Sequence, residues 1–212
     1  MKNKFILLNL FVISFFNVKS QAQNRFGVKT NLQFTNVTNV HEDSKIRNFG
    51  LGIGFFSQVP MNDYNDRFFL RPELFYSQQG GEQNKDNHLI KFYQNYLNIN
   101  LLLKYYFPDQ IFMSRQGCAC HMKTNHEFFI EAGPQFGYIL SENNKYLDDL
   151  EFGGSTKFDL SLGIGAGISI RRKFEFSLRY NYGLTDTYRF YPKQNSTTNL
   201  AFSISYFFGR EA

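Results

Sequence analysis

The chain has 212 residues, a length suited to one domain, and its 23 Lys and Arg against 18 Asp and Glu give a formal net charge of +5. No block of Lys and Arg is long enough to track a phosphate backbone, which argues against nucleic-acid binding. The aromatic load, 26 Phe and 13 Tyr without a single Trp, suits β-strands and membrane interfaces.

The chain begins with Lys2 and Lys4, an apolar run over 5–16 and a short polar stretch over 17–22, the pattern of a Sec signal peptide. The run is too short for a membrane anchor, which needs roughly 20 apolar residues. Cleavage after Ser20 or after Ala22 fits the small-residue rule. Ser20 is preferred, which gives a signal peptide over 1–20 and one domain over 21–212. Lys2, Lys4 and Lys19 leave with the signal and no acid does, so the formal charge falls from +5 to +2. No cysteine lies near either cleavage point, so a lipid anchor is not expected. No later apolar run is long enough for a spanning helix. A β-barrel stays open, because its strands are apolar only at every second residue.

Eight segments of period-2 alternation follow, separated by polar stretches rich in Asn, Asp and Gly. The first sets Phe26, Val28, Leu32 and Phe34 against Gly27, Lys29, Asn31 and Gln33, and the second sets Phe49, Leu51, Ile53 and Phe55 against Gly50, Gly52 and Gly54. In the third, Phe68, Leu70, Pro72, Leu74 and Tyr76 oppose Arg71 and Glu73; in the fourth, Leu97, Ile99, Leu101, Leu103 and Tyr105 oppose Asn98, Asn100 and Lys104. The fifth alternates from Phe128 to Tyr138 around Glu131, and the sixth from Phe158 to Ile170 around Asp159 and three glycines. The seventh places Phe176, Leu178, Tyr180 and Tyr182 opposite Glu175 and Arg179, and the eighth runs from Leu200 to Phe208 against Ala201, Ser203 and Ser205.

Alternation alone fits a soluble sandwich, a lipocalin-like barrel or a membrane barrel. The polar face discriminates. It carries Lys29, Arg71, Lys104 and Arg179 beside Glu73, Glu131, Asp159 and Glu175, four cations and four anions. A water-facing surface needs no such balance, whereas groups sharing a narrow lumen must neutralise one another. Glycines on the same face leave room for Phe69, Arg71 and Phe75. The expectation is an all-β, antiparallel, up-and-down transmembrane barrel of about eight strands, of OmpA/OmpX-like architecture, resident in the outer membrane, with a filled lumen and no open pore.

Loop lengths set the expected sidedness: 35–48, 78–94, 141–156 and 185–198 are extracellular, while 58–67 and the Arg171-Arg172-Lys173 hairpin are periplasmic. Aromatic runs at the periplasmic strand ends, Phe55-Phe56, Phe68-Phe69, Tyr105-Tyr106-Phe107, Phe128-Phe129 and Phe207-Phe208, are read as an interface girdle in preference to ordinary core aromatics.

These strands resemble the PorT-like outer-membrane β-barrel domain of Bacteroidetes. The resemblance rests on Phe26-Gly27-Val28-Lys29, on the run from Leu70 through Arg71-Pro72-Glu73 to Gly80, and on the run from Asn95 to Tyr105. It continues in Glu131-Ala132-Gly133-Pro134-Gln135, Gly163-Ile164-Gly165-Ala166-Gly167 and Arg179-Tyr180-Asn181-Tyr182-Gly183-Leu184. Asn100 stands where that family usually has proline. The resemblance implies outer-membrane residence and contact with outer-membrane lipid and lipopolysaccharide. It implies no general activity, although the name-giving member is associated with type IX protein secretion.

Two glycine-rich runs, Gly50-Leu51-Gly52-Ile53-Gly54 and Gly163 to Gly167, lack the following helix that a phosphate loop needs and read as small lumen residues. The segment 108–126 holds Cys118, Cys120, His121 and His126. Thiolates and imidazoles suit zinc or copper, but Cys-x-Cys is not a zinc-knuckle spacing and an oxidising compartment favours a disulfide, within the chain or between chains. The same segment is the place to look for a periplasmic or secretion-system protein partner. His41 and His88 lie near Asp43 and Asp86 in expected outer loops, which leaves a hydrolase or acyl-modifying enzyme as an alternative. A soluble periplasmic ligand-binding barrel is the other. The favoured reading is a non-enzymatic outer-membrane barrel, without cofactor, that presents its loops for interaction.

Overall fold

The computed structural model describes residues 24–37, 46–61, 67–85, 88–107, 126–145, 156–187 and 195–209. Eight strands follow one another: β1 Arg25–Val37, β2 Ile46–Pro60, β3 Phe68–Lys85, β4 His88–Tyr106, β5 His126–Lys145, β6 Phe158–Ile170, β7 Phe174–Gly183 and β8 Thr197–Phe207. Each pairs antiparallel with its sequence neighbour, and β1 closes the barrel on β8, with Gly27 opposite Phe207 and Val37 opposite Thr197. Closure leaves every strand of the barrel wall with two partners.

The alternation decides which side of the wall each residue meets. Phe26, Phe49, Ile53, Phe55, Leu103, Leu162 and Ile164 are all more than half exposed on the outside, while Lys29, Arg71, Glu73 and Lys104 are buried inside. On β5 the outward apolar face runs from Phe128 to Leu140. At about 3.3 Å per residue and a tilt of about 40°, it covers a height of roughly 30 Å, the thickness of a bilayer's hydrocarbon core. Among the described residues no helix is long and apolar enough to cross a membrane. The crossing elements are strands.

Strand lengths are unequal. β2 to β5 have 15 to 20 residues, whereas β6 to β8 have 10 to 13. The β3–β4 ladder runs unbroken from Phe68 opposite Tyr105 to Lys85 opposite His88. The expected outer loop at 78–94 is therefore largely a β-hairpin, and His88 is the first residue of β4, not a loop residue. β5 likewise follows β4 to Lys145 opposite Lys91, although its pairing with β6 stops at Tyr138 opposite Phe158. The periodic signal fades here because polar residues stand on both faces: Gln78 faces outward while Gln79 is buried inside. Polar residues such as Gln78, Gln79, Glu82 and Gln83 then occupy successive positions.

At the opposite end, β6 and β7 are joined by a tight turn closed by the Lys173 N–H donating to the Ile170 carbonyl at 2.9 Å. Arg171 and Arg172 hold φ of 51° and 50°. Asn-Gly is the usual choice for such a turn, and side chains with a Cβ lose about 1–2 kcal/mol per residue there.

Candidate functional site

The lumen is filled in three layers. At the end where β2 meets β3 lies an aromatic floor of Phe56, Phe69, Tyr106, Phe129 and Phe207, each at most 6% exposed. Their rings pack edge to face or tilted, Phe56 on Phe207 at 4.9 Å, Phe69 on Tyr106 at 5.4 Å and Tyr106 on Phe129 at 5.6 Å. Glycines on neighbouring strands make the space: a Cβ at Gly27 would run into Phe56, and one at Gly167 into Phe129. The expected girdle is thus corrected. In each aromatic run only alternate members, Phe55, Phe68, Phe128 and Phe208 among them, face outward, and their sequence neighbours seal the lumen. A doublet on a strand must split between the two faces.

Above the floor lies the charge layer. Glu73, on β3, is its hub: its carboxylate lies 3.3 Å from Lys29 Nζ on β1, 3.0 Å from Arg71 Nε and 2.8 Å from Arg179 Nη1 on β7, and accepts from Asn100 Nδ2 at 2.8 Å. Arg179 also reaches Glu131 at 2.5 Å. Glu175 takes Arg71 Nη1 and Lys104 Nζ, each at 2.6 Å, and the Tyr106 hydroxyl. The cations rest on the floor. Arg71 stacks over Phe56 at 3.7 Å and Lys104 over Phe129 at 3.5 Å, so the two layers hold one another in place.

Seven of the eight charges read from the alternation come together in this layer. Asp159 does not. It lies six positions along β6 from Gly165, the residue opposite both Glu131 and Arg179, which is about 20 Å along the strand. Its carboxylate accepts from Thr185 Oγ1 at 2.8 Å, and no cation pairs with it among the described residues. The layer therefore holds four cations and three carboxylates rather than a balanced set.

The third layer is neutral. Gln33, Ser77, Gln79, Gln94, Asn98 and Asn199 point inward from four strands and bond among themselves, for example Asn199 Nδ2 to Gln33 Oε1 and Asn98 Nδ2 to Ser77 Oγ, each at 2.7 Å. Between this layer and Lys29 is a cavity of about 10 Å³, room for about one water molecule. Among the described residues the Oδ1 atoms of Asn31, Asn98, Asn100 and Asn199 at its wall lack a donor, as befits a hydrated pocket.

Asn100 and Phe69 stand on the face to which the alternation assigns them, whereas Tyr106, Phe56, Phe129 and Phe207 belong to this site and were not read from the sequence as lumen residues. Their signal was available in the odd-even count from Glu73 or Lys104. Of the thiol and imidazole set, Cys118, Cys120 and His121 lie outside the described residues, as does His41. His126 is the exposed first residue of β5, opposite Ile170.

Residues 21–189 match the family of outer membrane protein beta-barrel domains. No curated protein matches the sequence. Similar solved structures include the outer membrane enzyme PagL, 10% identical with a TM-score of 0.53, the likeness covering 84% of this chain and 98% of that one. Neisserial surface protein A is 13% identical with a TM-score of 0.48, over 86% and 97% of the two chains. OprG from Pseudomonas aeruginosa is 13% identical with a TM-score of 0.42, over 88% and 95%. Likeness at such identity concerns the fold alone.

Proposed function

The chain belongs to the outer membrane protein beta-barrel domain family and resides in the outer membrane, and from that premise we propose that it is a non-enzymatic display barrel: a sealed scaffold that holds the β2–β5 extension outside the cell. One observation carries this reading. The lumen is closed by an aromatic floor and a charge layer whose three carboxylates, Glu73, Glu131 and Glu175, are all engaged by cations, so that layer offers neither a diffusion path nor a free carboxylate. What the barrel adds to its surroundings is the long β3–β4 hairpin, whose backbone ladder continues to Lys85 opposite His88.

A short epitope inserted at the hairpin tip, between Lys85 and His88, tests this. Antibody stains intact cells if the hairpin is displayed. Staining confined to permeabilised cells would overturn both the display and the sidedness drawn from loop lengths. The same preparation carries the signal-peptide reading: its intact mass corresponds to a chain beginning at Gln21, with residues 1–20 removed.

A finer reading makes the chain a PorT-like member that assists protein secretion through 108–126. It is supported by the sequence blocks around Arg71-Pro72-Glu73 and Glu131-Ala132-Gly133-Pro134 and by the length of that segment. Crosslinking from Cys118 in intact cells decides it, with a secretion component recovered if it holds and none if it does not.

A further inference from the structure

We propose that the β6–β7 turn, Arg171 to Lys173, is a binding site for the phosphate of an anionic phospholipid whose acyl chain lies along the Phe174 and Tyr206 rings. The inference rests on the membrane-barrel reading and concerns the leaflet on the side of the aromatic floor.

The turn is held in a left-handed conformation at two successive arginines, where Asn-Gly would sit without strain. Backbone strain that persists in a fold points to side chains with work to do. Arg172 has its role inside the molecule: its guanidinium forks onto Glu127 at 2.5 and 2.9 Å and lies over the Tyr106 ring at 5.0 Å, and its carbonyl accepts from Arg25. It thereby closes the floor from below. Arg171 shares none of these contacts. It is exposed and has no partner among the described residues.

The surroundings of Arg171 specify the chemistry. Phe174, 45% exposed on the lipid side, packs against Tyr206 with ring centroids 5.0 Å apart, and Tyr206 in turn meets Phe208 at 5.8 Å. These rings form the outward aromatic band at this end of the barrel, the depth at which a protein passes from acyl chains into headgroups. Lys173, directly before Phe174, holds its ammonium 5.8 Å from the Tyr206 ring. Arg171 lies two residues further out. Among the described residues Arg25, Arg171, Arg172 and Lys173 share this corner with the Glu127 carboxylate, and Arg172 already engages it. Arg25 is turned inward, over the Phe207 ring and onto the Arg172 carbonyl, so Arg171 and Lys173 are the two cations that stand beyond the aromatic pair without a carboxylate among the described residues, an arrangement that fits a phosphate with a hydrocarbon tail. A guanidinium beside an ammonium offers both bidentate and point-charge contact to phosphate oxygens.

The test uses the full mature chain refolded into phosphatidylcholine vesicles, with the association of spin-labelled phosphatidylglycerol compared with that of spin-labelled phosphatidylcholine. The wild type prefers the anionic lipid by roughly fivefold, the factor expected of one basic residue at a charged surface. The double variant Arg171→Gln and Lys173→Gln, with Arg172 retained so that the floor stays closed, loses that preference, while Arg171→Lys with Lys173 intact keeps most of it. Both variants must show the wild-type shift between unheated and boiled gel mobility. Equal association of the two lipids with the wild type, or an unchanged preference in the double variant, overturns the proposal. So does abolition of the preference by inorganic phosphate alone, since the turn would then be a free-anion site. Failure of the wild type to enter vesicles at all would instead contradict the membrane barrel.

Discussion

Replacing Glu73 by alanine lowers the unfolding free energy by about 3–5 kcal/mol, the range for removing one partner of a buried ion pair. The carboxylate is 3% exposed and within 3.3 Å of three cations, Lys29, Arg71 and Arg179. The layer already has one more cation than carboxylates. Loss of Glu73 leaves four cations facing Glu131 and Glu175 in a space closed below by aromatic rings, and Asn100 loses its acceptor as well. Urea unfolding from lipid vesicles, followed by the mobility difference between folded and unfolded bands, measures the effect. Asp159→Asn serves as the internal control. It removes a charge with no cation partner among the described residues, and its effect stays below about 1 kcal/mol. Equal effects of the two substitutions would mean that the charge layer does not hold the barrel together.

Ile164→Arg lowers stability by about 2–4 kcal/mol in a bilayer, the depth-dependent figure for a basic residue near the midplane of a barrel's lipid face. Ile164 lies in the middle of β6, 65% exposed and on the outward face with Leu162. Exposure that large would make the same change nearly neutral in a water-soluble barrel, since surface substitutions stay within about 0.5 kcal/mol. The substitution therefore separates the two solvents that the outer wall could meet. Repeating the unfolding in bilayers and in a zwitterionic detergent sharpens it, because a micelle deforms around the guanidinium more readily and the penalty shrinks there.

Most of the wall was legible because one physical rule governs it: within the apolar layer the outward residues are mostly apolar, while the inward face gathers the charged, polar and small residues. That rule located all eight strands and seven members of the charge layer. It fails where its cause is absent. From Gln78 onward polar residues follow one another instead of alternating with apolar ones, so the stretch to Gln94 reads as a loop, while the structure continues the ladder on backbone hydrogen bonds and buries Gln79 and Gln94 inside. Doublets such as Phe128-Phe129 were read by composition when parity should have divided them, which hid the floor. Asp159 has the parity of the charge layer but the wrong height, and height follows from cross-strand register rather than from the pattern within one strand. Asn100 supplies the amide N–H that the Glu73 carboxylate accepts. Its meaning needed the register that sets Glu73 opposite Asn100.

Both the display reading and the layered lumen require the barrel to be sealed. Current recording across a planar bilayer after insertion of the mature chain measures this most directly. The account predicts a flat trace at moderate voltage in molar salt, since Phe56, Phe69, Tyr106, Phe129 and Phe207 close the floor and Arg71, Lys104 and Glu175 fill the space above it. Steady ohmic steps from the wild-type protein would contradict it.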